Sequence, residues 1–208
     1  MYSLFKKYRK SPTLENTVWY FGCSKTWGEA VEECQTAPYF LSKYTNLPVD
    51  NLGIVGGSPD LIYFQIQKLI QTHTPRCIII QWPNTSRTFE IIDDTIILLG
   101  MWSSTRGHWT KEVYPELTKN YEKRLLDGEI ESYNNYCISN IRNLVNCPVI
   151  DFTYENLLDG RGNLDLGTDN MHPGPLSHSR VAELLSPRLE FELTSKHQAT
   201  RRRIVSLL

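Results

Sequence analysis

Residues 76–82, RCIIIQW, place three consecutive isoleucines between polar ends. A continuous apolar run of this length is typical of a central parallel strand, which is buried on both faces. Working outward, Thr17–Gly22 (TVWYFG) is β-branched and aromatic and stops at a glycine, which indicates a second buried strand. Val49–Val55 and Pro148–Phe152 are shorter strand candidates, and Ile91–Leu99 is ambiguous between strand and helix.

Helical patterns alternate with these strands. The expected helices are Thr26–Tyr44, Leu61–Thr72, Tyr114–Leu126, Glu131–Val145 and Val181–Leu193. Pro38 is a possible break in the first, Ser58-Pro59 opens the second, and Pro187 lies inside the last. Alternation of strand and helix predicts an α/β domain with a parallel sheet, and right-handed crossovers place helices on both faces. In such sheets the ligand site lies at the carboxyl ends of the strands.

Length and charge narrow the function class. The chain has 208 residues, of which 40% are hydrophobic and 22% charged, which predicts a single globular domain over residues 1–208. Its net charge of −1 argues against a protein that grips nucleic acid, because such proteins carry a large positive excess. No apolar run reaches the roughly 18 residues of a membrane span, so neither nucleic acid nor membrane is an expected partner.

The N-terminus and the cysteines indicate a cellular compartment. The N-terminal stretch is basic but no apolar run follows it, which is unlike a signal peptide. The five cysteines form no CxxC pair and no zinc-ligand spacing. We therefore expect reduced thiols, a cytoplasmic location and no zinc site.

Chemically useful residues follow the predicted strands. Ser24 follows the first strand, Gly56-Gly57 the second and Asn84 the third, while Asp169-x-x-His172 precedes the last helix. A serine at a strand-to-helix turn can act as a nucleophile, a histidine can take its proton, and an aspartate can orient the imidazole. Backbone N–H groups and an amide side chain can stabilise an oxyanion. The set indicates acyl transfer, and the absence of a GxSxG motif argues against the usual α/β-hydrolase arrangement.

These blocks resemble those of the SGNH (GDSL-like) hydrolases. The first block is Gly22-Cys23-Ser24, with Cys23 where Asp is commonest; Gly56 resembles the second, Asn84 the third, and Asp169-x-x-His172-Pro173 the fifth. They occur in the family's order and span positions 22–174. The chain departs from the family in its third block, where Trp82 replaces a glycine and no Asp follows Asn84.

The resemblance implies a three-layer α/β/α flavodoxin-like fold with a mostly parallel five-stranded sheet. It also implies a catalytic triad of Ser24, His172 and Asp169. The oxyanion hole would be the backbone N–H groups of Ser24 and Gly56 with the Asn84 side chain, although Gly57 competes with Gly56 for this role. The family needs no metal or cofactor. From its place after the strand, the Ser24 side chain is expected to be largely exposed, whereas Cys23 is expected to pack inside.

Three tryptophans are candidates for binding substrate: Trp82, Trp102 and Trp109. The last two belong to an insertion at about residues 85–126 that is expected beside the site. Aromatic surfaces suit sugar rings and acyl chains, but a small separate core or an oligomer contact explains these residues equally well. The basic C-terminal tail, residues 194–208, is expected to be solvated, and docking to another chain is its alternative.

The functional hypothesis is a serine esterase of SGNH type that acts on a small acyl or acetyl ester. Esters of carbohydrates are among the candidate substrates. Its partner is then a small-molecule or glycan ester, with oligomerisation through the insertion or the tail as an additional expectation. Two alternatives stay open. One is a non-catalytic binding or assembly protein that retains the fold, and the other is an acyltransferase that uses the same triad.

Overall fold

A computed structural model describes residues 11–105, 107–160 and 162–205, and the side chains of these up to residue 195. The basic residues 1–10, Arg106 and the side chains of the tail beyond residue 195 lie outside this description. The strands are β1 (Val18–Phe21), β2 (Val49–Asn51), β3 (Cys77–Trp82), β4 (Thr88–Ile92), β5 (Thr95–Leu99) and β6 (Val149–Thr153). The helices are α1 (Ser24–Trp27), α2 (Ala37–Thr45), α3 (Pro59–Leu69), α4 (Trp109–Val113), α5 (Pro115–Leu126), α6 (Glu129–Leu144), α7 (Tyr154–Leu157) and α8 (Pro175–Val205).

The main sheet is parallel throughout and has the order β2-β1-β3-β6. β1 and β3 occupy its centre, and both are buried along their whole length, as their continuous apolar sequences predict. Their carboxyl ends, at Phe21 and Trp82, point to the same edge. This edge is where the polar residues after each strand are gathered.

Both faces of the sheet are covered. Alternate residues of β1 and β3 point to opposite faces, so Trp19 and Ile78 join one core while Tyr20 and Ile79 join the other. Helices α3 and α6 cover the first face, and α2 and α8 cover the second. The expected three-layer α/β/α architecture is therefore confirmed.

The number of strands in the main sheet is a correction to the expected five, because the described residues contribute four. The ambiguous segment Ile91–Leu99 is neither a helix nor a fifth strand of this sheet. Asp93 and Asp94 both have positive φ, which turns the chain back on itself and makes β4 and β5 an antiparallel hairpin. A reversal over two residues cannot supply the crossover that a parallel strand needs.

The region Thr26–Tyr44 is a second correction, because it is not one helix. Helix α1 ends at Gly28, whose φ of 83° is left-handed, and Ala30 is left-handed as well. Glu33–Gln35 then forms a 3₁₀ turn before α2 begins. Pro38 lies in the first turn of α2, where its missing N–H costs no hydrogen bond, so it opens this helix rather than breaking it.

The insertion has a small core of its own. Ile97 and Leu99 of β5 are buried with Tyr121 of α5 and Ile130 of α6. On its other side, the hairpin places Ile96 in the core beneath α3 and α6. The segment is thus a packed element beside the sheet edge.

The last helix differs from its predicted bounds. It begins at Pro175, six residues before the expected Val181, and its backbone continues to Val205, well into the predicted tail. Pro187 lies within it, as expected. The early start brings the helix directly up to the Asp169–His172 loop.

Candidate active site

Ser24 opens α1 immediately after β1, with Cys23 as the capping residue. Its side chain lies at the carboxyl edge of the sheet, where the strand-to-helix turn leaves the first N–H groups of α1 without helical partners. Ser24 is only 8% exposed, so the expectation of a largely exposed side chain is wrong. The reason is the loop carrying His172, which lies against it. Cys23 is buried as well.

His172 and Asp169 complete a hydrogen-bonded row with Ser24. The Nε2 atom of His172 is 3.1 Å from Ser24 Oγ, and its Nδ1 atom is 2.6 Å from Asp169 Oδ2. These separations are within hydrogen-bond reach. Ser24 and His172 are 148 residues apart in the sequence, so the fold alone brings them together.

Three donors surround the Asp169 carboxylate. They are the backbone N–H of His172, the His172 ring and the backbone N–H of Met171. These hydrogen bonds lower the pKa of Asp169 to about 2. Asp169 is therefore an anion at any pH near neutrality, which favours the His172 tautomer that carries its proton on Nδ1.

The loop that carries His172 is fastened at several points. Gly167 N–H donates to the His172 carbonyl, and Thr168 N–H donates to the Ala30 carbonyl beyond α1. Asp165 accepts hydrogen bonds from the backbone N–H groups of Leu176 and Ser177 at the start of α8. The imidazole is thus held from both the α1 side and the α8 side.

Gly56 and Gly57 are distinguished by their hydrogen bonds. Gly57 N–H donates to the Ile54 carbonyl, whereas Gly56 N–H has no acceptor among the residues that the structure describes. Gly56 has a φ of +76°, a conformation that glycine adopts without strain. Of the two, Gly56 is therefore the one that has an N–H available to a ligand.

Asn84 follows β3 and has an exposed side chain. Its Oδ1 accepts a hydrogen bond from Ser86 N–H at 2.8 Å, which fixes the orientation of the amide. The Nδ2 donor has no partner within the described part of the chain, so it is available to a ligand. An oriented donor of this kind suits an oxyanion.

The loop after Asn84 has a support that the sequence analysis missed. Asn134 of α6 is fully buried, and its Nδ2 donates to the carbonyls of Thr85 and Arg87, both at 2.7 Å. Its Oδ1 accepts from Asp60 N–H at the start of α3. This side chain replaces the support expected from an Asp after Asn84. The available signal was a polar residue on the apolar face of α6, four residues after Ile130.

The three candidate tryptophans have different surroundings. Trp102 lies beside Gly56, and the guanidinium of Arg87 stacks 4.9 Å from the centre of its ring. Trp82 is buried, and its indole N–H donates to Asp151. Trp109 is half-exposed and packs against Tyr114. The structure thus brings Trp102 next to Gly56, a candidate site residue. The contacts named for Trp82 and Trp109 are with residues outside the candidate site.

Glu29 is a further acidic group beside the imidazole, and the sequence analysis assigned it no role. Its Oε2 atom lies 3.3 Å from His172 Nε2. The left-handed Gly28 turns the chain so that Glu29 N–H donates to the Ser24 carbonyl. A carboxylate directly after the end of α1 was the available signal.

Neither a metal-binding cluster nor a membrane-spanning helix occurs among the described residues. No group of three or more His, Cys, Asp or Glu side chains is arranged to hold a metal ion there. None of the described helices has both the length and the apolar character that crossing a membrane requires.

Comparisons with known proteins give matches in structure. No protein-family model and no curated protein sequence matches the chain. Among solved structures, it is similar to a psychrotrophic esterase from a Pseudoalteromonas species, at 12% identity and a TM-score of 0.47 over 86% of this chain and 100% of the other. It is also similar to a G-D-S-L family lipolytic protein from Veillonella parvula, at 18% identity and a TM-score of 0.42 over 81% and 95%.

A third similar structure is a family 3 carbohydrate esterase from Clostridium thermocellum. It is 14% identical, with a TM-score of 0.43, over 85% of this chain and 98% of that one.

Proposed function

We propose that the chain is a serine esterase of SGNH type that hydrolyses a small acyl or acetyl ester through Ser24, His172 and Asp169. The observation that carries this proposal is the continuous row of hydrogen bonds from Ser24 Oγ through the imidazole to Asp169. A serine that merely caps a helix has no need of a histidine whose far nitrogen is held by a carboxylate.

In the first step the Ser24 oxygen attacks the ester carbonyl while its proton moves to His172 Nε2. Asp169 keeps the imidazole oriented and stabilises its positive charge. The protonated Nε2 then gives its proton to the oxygen of the leaving alcohol, which leaves an acyl-enzyme. Water, activated by the same imidazole, releases the acid.

The developing oxyanion would be held by the backbone N–H groups of Ser24 and Gly56 and by Asn84 Nδ2. The available donors at Gly56 and Asn84 support this assignment. In other hydrolases the loss of one such donor costs a factor of about 10² to 10³ in kcat.

A small acyl group fits the surroundings of the site. Ser24 is nearly buried, and side chains of Leu98 and Trp102 lie close to Gly56. We expect this crowding to disfavour a long acyl chain. The Trp102 ring offers a flat surface that suits a sugar, which supports carbohydrate esters among the candidate substrates.

The deciding experiment combines a fluorophosphonate probe with esters of increasing chain length. We expect the probe to label the wild-type chain and to miss Ser24→Ala, because only a serine activated by a base reacts with it. Cleavage of p-nitrophenyl acetate should fall by a factor of about 10⁴ to 10⁶ in Ser24→Ala. The neighbouring Cys23→Ala is the control and should keep both properties.

Labelling that persists in Ser24→Ala, or an unlabelled wild-type chain, would overturn the proposal in favour of a binding protein. A chelator should leave the rate unchanged. Adding an acceptor sugar separates hydrolysis from acyl transfer, because a transferase would form the acylated sugar in place of free acid.

A further inference from the structure

His172 Nε2 faces two oxygen atoms rather than one. Ser24 Oγ is 3.1 Å away and Glu29 Oε2 is 3.3 Å away, while Nδ1 on the other side of the ring is bonded to Asp169. Two carboxylates and one hydroxyl therefore face the imidazole: Asp169 at Nδ1, and Ser24 and Glu29 at Nε2. Asp169 fulfils the orienting role, so the mechanism above leaves the second carboxylate unused.

We propose that Glu29 is a positioning residue that acts through His172, by accepting a hydrogen bond from Nε2 whenever this nitrogen is protonated. The inference rests on the proposed esterase function, because it concerns the base of that reaction. It assigns to this site a second carboxylate that controls the pH range in which the base is free.

The two protonation states of the ring have different partners. In the neutral ring Nδ1 carries the proton, so Nε2 is an acceptor for the Ser24 hydroxyl and offers nothing to a carboxylate. When Ser24 Oγ bonds to the carbonyl carbon, its O–H bond breaks and the proton passes to Nε2. The new N–H can then donate a hydrogen bond to Glu29. This lasts until the proton passes to the oxygen of the leaving alcohol as the C–O bond breaks. Glu29 neither gains nor loses a proton in this step.

The position of Glu29 is built into the local backbone. Gly28 in the left-handed conformation ends α1, and Glu29 N–H donates to the Ser24 carbonyl at 3.1 Å. One residue later, the Ala30 carbonyl accepts from Thr168 N–H, which joins this loop to the one that carries His172. The 3.3 Å separation between Glu29 and His172 therefore lies where the two loops are joined.

The other charged groups nearby do not neutralise Glu29. Lys25 is adjacent to Ser24, but its ammonium lies 3.2 Å from Glu155 and 4.5 Å from the centre of the Tyr154 ring. Asp169 is the other ion that faces the imidazole, and it carries the same sign as Glu29. The Glu29 side chain is 39% exposed, so solvent weakens its effect without removing it.

The position of Glu29 should affect how the reaction rate depends on pH. A carboxylate beside Nε2 favours the protonated ring, which cannot accept the Ser24 proton. Removing the charge of Glu29 should therefore keep the base free at more acidic pH. We expect the midpoint of the acid limb of kcat/KM to move to lower pH. The rate on the plateau above it should fall by up to a factor of about 5, because the transition state loses the partner of the protonated ring as well.

The experiment compares Glu29→Gln and Glu29→Asp with wild type and with Glu32→Gln. Glu32 is exposed in the same loop, so its change to Gln removes the same charge without contact to His172. The rate with p-nitrophenyl acetate is measured from mildly acidic to alkaline pH. The ring titration of His172 is followed by NMR, with its signal assigned from His172→Asn.

The supporting result is a downward shift of both profiles in Glu29→Gln, a smaller shift in Glu29→Asp, and none in Glu32→Gln. Profiles that coincide for all four proteins, or shift equally in the Glu29→Gln and Glu32→Gln variants, would overturn the role of Glu29. The NMR titration needs no turnover, so it tests this role even if the chain proves not to be an esterase. Conversely, an inactive and unlabelled wild-type chain refutes the proposed function alone.

Discussion

At the scale of single residues, Asp169 is held as an anion by the hydrogen bonds that its carboxylate accepts. Its pKa falls from the ordinary value of 3.8 to about 2 because two backbone N–H groups and the His172 ring donate to it. A lowered pKa means that the folded chain prefers the anion. The stabilisation is therefore complete above a pH of about 4 and is lost as the pH falls toward 2.

This charge state leads to a prediction for the pH profile. Since Asp169 stays ionised down to a pH of about 2, it cannot be the group whose protonation stops activity in mild acid. Histidine is the side chain that ordinarily titrates between pH 5 and 8, so kcat/KM should rise with pH across that range along a single ionisation. An acid limb found only near pH 2 to 3, or a flat profile with chemistry rate-limiting, would contradict His172 as the base.

At the scale of elements, Asn134 connects three segments around the site. One side chain of α6 donates to two carbonyls of the loop after β3 and accepts from the backbone N–H of Asp60 in the first turn of α3. Buried hydrogen-bonding groups that lose their partners cost about 1 to 3 kcal/mol each. The orientation of Asn84 therefore depends on a helix that is remote in sequence.

We predict that Asn134→Ala lowers the free energy of unfolding by about 2 to 4 kcal/mol, because it leaves several buried groups unpaired. It should also lower kcat, since the loop that carries Asn84 loses its anchor. Asn135→Ala is the matched control: the neighbouring Asn135 is exposed on the same helix, so its loss should change little. Denaturant unfolding and ester hydrolysis measure the two effects. Equal stability of both variants would show that the Asn134 hydrogen bonds contribute nothing.

At the scale of the whole molecule, stability depends on the two cores that sandwich the sheet. On one face, Leu185 of α8 is completely buried with Leu41 of α2 and Ile79 of β3. Close packing means that a truncated side chain leaves a cavity that its neighbours cannot fill.

We predict that Leu185→Ala lowers the free energy of unfolding by about 2 to 5 kcal/mol, through lost burial and the remaining cavity. Leu126→Ala makes the same chemical change at a side chain that is 88% exposed, and it should alter stability by less than about 0.5 kcal/mol. Thermal unfolding of the two variants is the measurement. At a temperature where both are folded, the esterase activity of each should match the wild type, and a destabilised Leu126→Ala would contradict the assignment of the core.

Much of the fold was predictable from local patterns. The apolar runs of β1 and β3, the Ser58-Pro59 signal before α3 and the periodicity of α5 and α6 are all written in neighbouring residues, so each could be assigned without knowing its partners. The four blocks around Ser24, Gly56, Asn84 and His172 could be grouped because parallel strands end at one edge. Their catalytic roles remain predictions.

Other features were decided only by the tertiary structure. Three of these are the burial of Ser24, the two hydrogen bonds of Asn134 to the loop after β3, and the short distance between Glu29 and His172. Each depends on residues that are distant in sequence or separated by a turn. The sequence by itself determined which segments were apolar enough to be buried, because burial depends on the composition of a segment and on the spacing of its apolar residues. It could not determine which buried polar atoms would meet, because a hydrogen bond depends on distances of a fraction of an ångström that packing alone sets.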